Sequence, residues 1–400
     1  MIPARSGMRY RAFNRSLWSR LVRYTDLVPT ALRSRLLVPF WVTGLLAASL
    51  GTAAVSQDTP PPAATQPAAT PPEPERIIVD TDSAYFNDDG AALVMLLNRP
   101  EATDVVGVTI VPGNMWPRPG AEAMFHVLDV MKRANIPLSL GAQAPLVHTR
   151  GMAERENQQW GPIEYLGAMG VDPVEAGKKV PQSSVRRVSH RHAADFMIDT
   201  IENATVPVTI LAIGPMTNLA IALRLHPELE KKIHRLVFMG GAVHVKGTDN
   251  RAAEFNFWFD PEAAQIVLRS GIQQKTMFGL DICNHARLDK SHYDQIAAER
   301  TPITAMFRQD LRKRFDKNPD AFTYIWDCLA AGYLIDPAFV TKTESAYLDV
   351  DTAFGPNYGA VIPLDRTLAP EATPVDVMLD LDFERFFEMY KRLLTRAPGL

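Results

Sequence analysis

The stretch Arg76–Leu97, RIIVDTDSAYFNDDGAALVMLL, narrows the folds open to this chain more than any other. Ile77, Ile78 and Val79 are consecutive branched apolar residues and read as a short buried strand. Four carboxylates follow at once, Asp80, Asp82, Asp88 and Asp89, and then GAALVMLL with helix-forming composition. The acids therefore occupy a loop between the carboxyl end of a strand and the start of a helix, where open α/β sheets bind ligands. Four acids in such a loop repel one another unless a cation lies among them, and hard oxygen donors suit Ca²⁺ or Mg²⁺. Asp88 and Asp89 alone could be a helix cap and first-turn acids. That reading leaves the DTD at the strand end unexplained.

Beyond this stretch the same strand-then-helix rhythm repeats. Strands are predicted at Val105–Val111, Pro137–Leu140, Val206–Gly214, Arg235–Met239, Gln274–Leu280 and Val375–Leu381. Helices are predicted near Gly120–Arg133, at His190–Glu202, from Pro215, at Asp260–Gly271 with a closing glycine, and at Phe383–Leu394. Lys290–Tyr333 reads as largely helical, and Gly141–Ser189 as a long loop without periodicity, a kind that is usually functional. The alternation implies an α/β fold with a mostly parallel sheet and helices on both faces, in a single domain over 76–400.

The preceding 75 residues differ in kind. Residues 1–56 carry eight arginines, no lysine and one acid, Asp26, and Leu36–Gln57 is uncharged and apolar before small residues at Gly51–Ser56. That is the layout of an export signal, and its apolar core is short for a membrane span of about 20 residues. The expectation is a periplasmic or secreted domain, anchored if the signal stays uncleaved, with no membrane insertion of the mature domain. Residues 57–75 are a Pro/Ala-rich linker. Of 42 basic and 45 acidic residues, the remainder after position 56 keeps a net charge near −10. That argues against a nucleic-acid surface and for a small-molecule or cation partner. Cys283 and Cys328 are too few for a disulfide framework or a zinc cluster, and could be one bridge or two buried thiols.

Polar residues recur at successive strand ends: the aspartates at 80–89, Asn114 after VVGVTIVPG, the GPMTN turn, and AEFNFWFD at Ala253–Asp260. These blocks, with LVFMGGA and WDCLAAGYLIDP, resemble in order the motifs of the inosine-uridine preferring nucleoside hydrolase family, over about Ile77–Pro337 and more weakly to Leu394. The resemblance implies a Rossmann-like sheet, a tightly bound Ca²⁺, hydrolysis of the N-glycosidic bond of a ribonucleoside, and a homodimer or homotetramer. It also implies residue roles. Asp82, Asp89, Asp327 and the backbone carbonyl of Ile213 would bind the ion, with Asp82 also the base for the metal-bound water. Asp88 would hold the ribose 2′-OH. Asn114, Glu254, Asn256 and, on a shortened loop, Asn250 would bind ribose hydroxyls, Met239 would line the sugar pocket, and Asp80 would stand behind.

Two departures from the family pattern bear on the substrate. The first is loop length: five residues separate Asp82 from Asp88, no Pro-Gly follows Asp82, and Tyr85 and Phe86 are expected at the pocket mouth. The second is Trp326, which stands before Asp327 where many members have a histidine acid; Trp160 falls where another base-side histidine would. Tryptophans at these two places resemble the purine-specific branch, which stacks the base between indoles. Each could instead be a core residue. No histidine takes a catalytic position, His285 being nearest. A haloacid-dehalogenase-type phosphatase and an EF-hand both fail on Ala84. A family member that binds nucleosides or a sugar without hydrolysing them is the competing reading.

Overall fold

The computed structural model describes residues 73–83, 86, 88–172, 188–249 and 251–399. The expected signal, nearly all of the linker, Tyr85 and Asn250 lie outside them. The strands are β1 (Glu75–Thr81), β2 (Thr103–Ile110), β3 (Leu138–Leu140), β4 (Val208–Ala212), β5 (Ile233–Met239) and β6 (Lys275–Phe278). They continue with β7 (Arg287–Asp289), β8 (Phe322–Tyr324), β9 (Val340–Ala346), β10 (Leu348–Val350), β11 (Val361–Pro363) and β12 (Val375–Leu381). Eight join in one sheet in the order β3-β2-β1-β4-β5-β6-β12-β9, parallel throughout except that β9 runs antiparallel to β12. β7–β8 and β10–β11 are small antiparallel pairs.

The helices are α1 (Asp88–Leu97), α2 (Pro117–Val130), α3 (Arg150–Trp160), α4 (Ala193–Glu202), α5 (Thr217–Leu225) and α6 (Phe255–Phe259). After them come α7 (Pro261–Leu268), α8 (Leu280–Cys283), α9 (Lys290–Ala297), α10 (Pro302–Lys317), α11 (Trp326–Ile335) and α12 (Phe383–Thr395). In β1 the side-chain period of two divides the core between the sheet's faces. Ile77 and Val79 join the apolar cluster under α1, α2, α11 and α12, whereas Ile78 joins the one under α4, α5 and α7. All three are fully buried, which is why the strand reads as an unbroken apolar run.

Three expectations change. The loop Gly141–Ser189 contains α3, capped by the Thr149 hydroxyl, which accepts from Met152 N. The run Lys290–Tyr333 is broken by β8 between α10 and α11. The helix after Asp260 ends at Leu268 with Arg269 as its right-handed cap, so Gly271 is not the closing residue; its N–H donates to Glu230. Both cysteines are buried and free. Among the described residues no helix is long and apolar enough to cross a membrane.

Candidate active site

The order β3-β2-β1-β4-β5-β6 reverses direction between β1 and β4, and the chain's chemistry gathers where those two strands end. A parallel sheet that reverses order opens a crevice there, because successive crossovers leave to opposite faces. Asp82 follows β1, Asn114 follows β2, Ile213 follows β4, and Met239 ends β5. Asp82 is fully buried. Its carboxylate accepts from the backbone N–H of Asn114 at 2.6 Å and from Asn114 Nδ2 at 3.3 Å. Gly113 and Gly214 make room for it: a Cβ on Gly113 would lie 2.0 Å from Asp82 Oδ2, and one on Gly214 2.9 Å from Asp82 Cβ.

The first turns of two packed helices meet beside Asp82. Asp88 and Asp89 open α1, and Asp327 is in the first turn of α11. One carboxylate oxygen from each of Asp88, Asp89 and Asp327 lies within 4.8 Å of the others. Backbone N–H groups at Trp326 and Asp327 hydrogen bond to Asp88, and the Thr81 hydroxyl donates to Asp89. The helix ends thus soften the repulsion without cancelling it. Burial, then the charge of Asp89, lifts Asp88 to about 7. Burial, then the neighbouring aspartates, lifts Asp82 and Asp327 well above the usual carboxylate range. Acids only, with oxygen donors and no lysine or arginine among the causes of these shifts, form a set that fits a hard divalent cation.

Farther round the crevice, Glu254 caps α6, accepting from Asn256 N at 2.9 Å and from Gly241 N at 2.9 Å. Asn256 Nδ2 donates to the carbonyls of Met239 at 3.1 Å and Ile213 at 3.5 Å. Asp80 receives Thr109 Oγ1 and Asn218 Nδ2 on one oxygen, while its other is buried without a hydrogen-bond partner. These groups edge a cavity of about 680 Å³, whose wall includes Asp88, Asn114, Ile213, Met239, Glu254, Asn256, Trp326 and Asp327.

The sequence profile described as inosine-uridine preferring nucleoside hydrolase matches residues 77–388, from the middle of β1 into α12. The chain belongs to this family. It is therefore a ribonucleoside hydrolase by descent, an N-glycosidase, and the acidic crevice is where the family resemblance sets the chemistry. The pyrimidine-specific ribonucleoside hydrolase RihB of Escherichia coli (strain SE11) is 30% identical over 319 residues, covering 78% of this chain and 95% of that protein. A plant nucleoside hydrolase structure, PpNRh1, is 26% identical with a TM-score of 0.65, covering 81% of this chain and all of that one. The purine-preferring ribonucleoside hydrolase from Gardnerella vaginalis is 25% identical with a TM-score of 0.63, covering 80% and 98%.

Within this hydrolase the site residues expected from the sequence divide into three groups. Asn114, Met239, Glu254, Asn256, Ile213, Trp326, Asp88 and Asp327 line one cavity. Asp82 is held by Asn114 within reach of the charges of Asp88 and Asp89, and Asp88 also belongs to the tight acidic group with Asp89 and Asp327. Trp160 is not in the cavity wall. It ends α3 and packs on Phe354, ring centres 5.6 Å apart. Phe86 is likewise not at a mouth but buried in the core beside α1. His285 pairs with Asp380 at the surface.

Two wall residues carry no sequence signal. Tyr165, from the aperiodic stretch after α3, donates its hydroxyl to the Asn114 carbonyl at 2.8 Å. Arg314 reaches the wall from the last turn of α10. Both come to the crevice through tertiary packing alone.

Proposed function

We propose that this chain hydrolyses the N-glycosidic bond of purine ribonucleosides to ribose and free base, with Ca²⁺ as its resident ion. The observation that carries the reading is the gathering of Asp88, Asp89 and Asp327 at two helix N-termini, in the same crevice as Asn114, Glu254 and Asn256. Asp89, Asp327, Asp88 or Asp82, and the Ile213 carbonyl would hold the ion; when bound, it would acidify and position a water.

The residues then divide the work. Asp82, already a hydrogen-bond acceptor in a buried place, takes the water's proton. The water oxygen bonds to C1′ as the C1′–N bond breaks, its electron pair leaving with the base, which takes a proton from solvent. Nearby carboxylates stabilise the oxocarbenium character that builds on the sugar. Asn114, Glu254 and Asn256 fix the ribose hydroxyls, so 2′-deoxyribosides are poor substrates.

The purine preference rests on Trp326, which lines the cavity and stacks on Tyr324 with ring centres 4.9 Å apart and planes 29° from parallel. Among the described residues no histidine lines the cavity to serve as a leaving-group acid, and stacking on an indole eases protonation of a purine. The likeness to pyrimidine-specific RihB favours the opposite preference. A reducing-sugar assay over inosine, guanosine, adenosine, uridine and cytidine decides between them; faster uridine than any purine removes the stacking argument. Asp82→Asn is expected to lose about 10²–10⁴-fold in kcat while still binding inosine. A parent that binds nucleosides yet turns none over is instead a binding member of the family.

A further inference from the structure

Beyond the stacking face of Trp326, the β7–β8 side of the cavity has no task in the reaction. Its aromatic residues form a ladder: Trp326 stacks on Tyr324, Tyr324 meets Phe322 edge-on at 5.2 Å, and the Arg287 guanidinium lies 4.9 Å from the Phe322 ring. Trp326 and Asp327 are adjacent in the chain, so the ladder starts at the acidic group. A ribose held at the carboxylates therefore delivers its base onto this ladder. Stacking alone is tolerant, since every base has a π face. What the wall adds is one fork of donors, Arg314.

Arg314 sits in the last turn of α10 and lines the same cavity. Its Nη1 donates to the Phe322 carbonyl at 3.3 Å, a bond that ties the guanidinium to the ladder. Its remaining N–H groups have no hydrogen-bond or ion-pair partner among the described residues. A planar guanidinium in that state suits two acceptors side by side. A 6-oxopurine offers such a pair in O6 and N7; adenine pairs N7 with an N6 donor, and uracil has one acceptor, O4, beside a C–H.

We propose that Arg314 is the residue that selects the base, forking onto O6 and N7 of hypoxanthine or guanine while the rings stack on Trp326. The assignment rests on the ribonucleoside hydrolase reading for the pose of the base, and adds to it a preference for 6-oxopurines over adenine and over pyrimidines.

The test compares the parent with Arg314→Met and Arg314→Lys, using inosine and adenosine as substrates and hypoxanthine and adenine as ligands in calorimetry. Arg314 is on the exposed face of α10, so both variants keep the fold, which the melting temperature checks. In Arg314→Met the inosine-to-adenosine ratio of kcat/KM falls by roughly ten- to a hundredfold, the worth of one bidentate base contact. Arg314→Lys, a single donor point without a fork, recovers only part of it. Equal losses on both substrates, or an unchanged ratio, overturn the assignment. A parent inactive on every nucleoside sinks the hydrolase reading instead, and the calorimetry still decides: hypoxanthine affinity must drop in Arg314→Met relative to adenine, or the assignment falls.

Discussion

Glu254 gives both carboxylate oxygens to backbone N–H groups, yet burial lifts its pKa to about 7; burial also lifts Asp260, hydrogen-bonded to Thr217, to about 6. Their ordinary values are 4.5 and 3.8, so the folded chain keeps protons that the unfolded chain has released. Stability from these two groups is whole below about pH 4 and is lost as pH rises through about 6 to 7. Each is worth at most about 3 kcal/mol over that window. Glu254→Gln fixes the neutral form, so the variant should gain on the parent between pH 4.5 and 8, read as melting temperature at saturating Ca²⁺. A gap that widens against the variant as pH rises would refute the shift. At this scale much of the site was legible. Asp82, Asn114, Glu254 and Asn256 sit one to four residues past a strand or at a short helix's start, places that sequence pattern locates. Tyr165 and Arg314 were not legible, because nothing local marks a side chain that reaches the crevice from a different layer.

Among the helices, α3 lies in a stretch whose pattern reads as a loop, and its composition says why. RGMAERENQQW has few apolar residues, and only Ala153 and Glu156 are buried, so no apolar stripe announces a helix. What docks it is charge. Glu156, almost wholly buried, accepts from Trp258 Nε1 at 2.7 Å and faces Arg251 Nε at 3.5 Å and His148 Nε2 at 3.3 Å. Burial pushes this carboxyl up, but the close His148 ring, the Trp258 hydrogen bond and the Arg251 charge outweigh it and leave the pKa below its usual value. Trp258 belongs to α6, which also carries Asn256, and Arg251 precedes Glu254 by three residues. The cluster therefore pins the ribose-side loop to α3. Glu156→Ala leaves Arg251 buried without a counter-charge and should cost about 3–5 kcal/mol in chemical denaturation. A cost under about 1 kcal/mol would mean that packing, not charge, holds α3. Strands β1–β6 and β12, by contrast, were legible to within a few residues, since burial on both faces of a parallel sheet writes itself as apolar runs, whereas β7–β11 were not legible.

Across the molecule, the βα alternation foretold a parallel sheet, whereas the strand order and the antiparallel β9 could not be read from periodicity, which carries no information on which strands neighbour which. The family match begins at residue 77 and β1 at Glu75, so catalysis should not need what precedes them. We propose that residues 1–56 serve export only. A chain starting at Glu73 is expected to match the full chain in kcat/KM and melting temperature, while remaining in the cytosol instead of the osmotic-shock fraction. Lost activity, or unchanged export, would contradict that division. The two rims of the sheet carry a further consequence. β3 is only three residues long, and a bridge from Leu138 to Val188 covers its outer side. β9, at the other rim, is exposed along VTKTESA and carries Lys342 and Glu344, the latter paired with His244. A short covered strand and a charged one both deter strand addition from a neighbouring molecule. The chain is thereby guarded, at each open end of its sheet, against polymerising with its own copies.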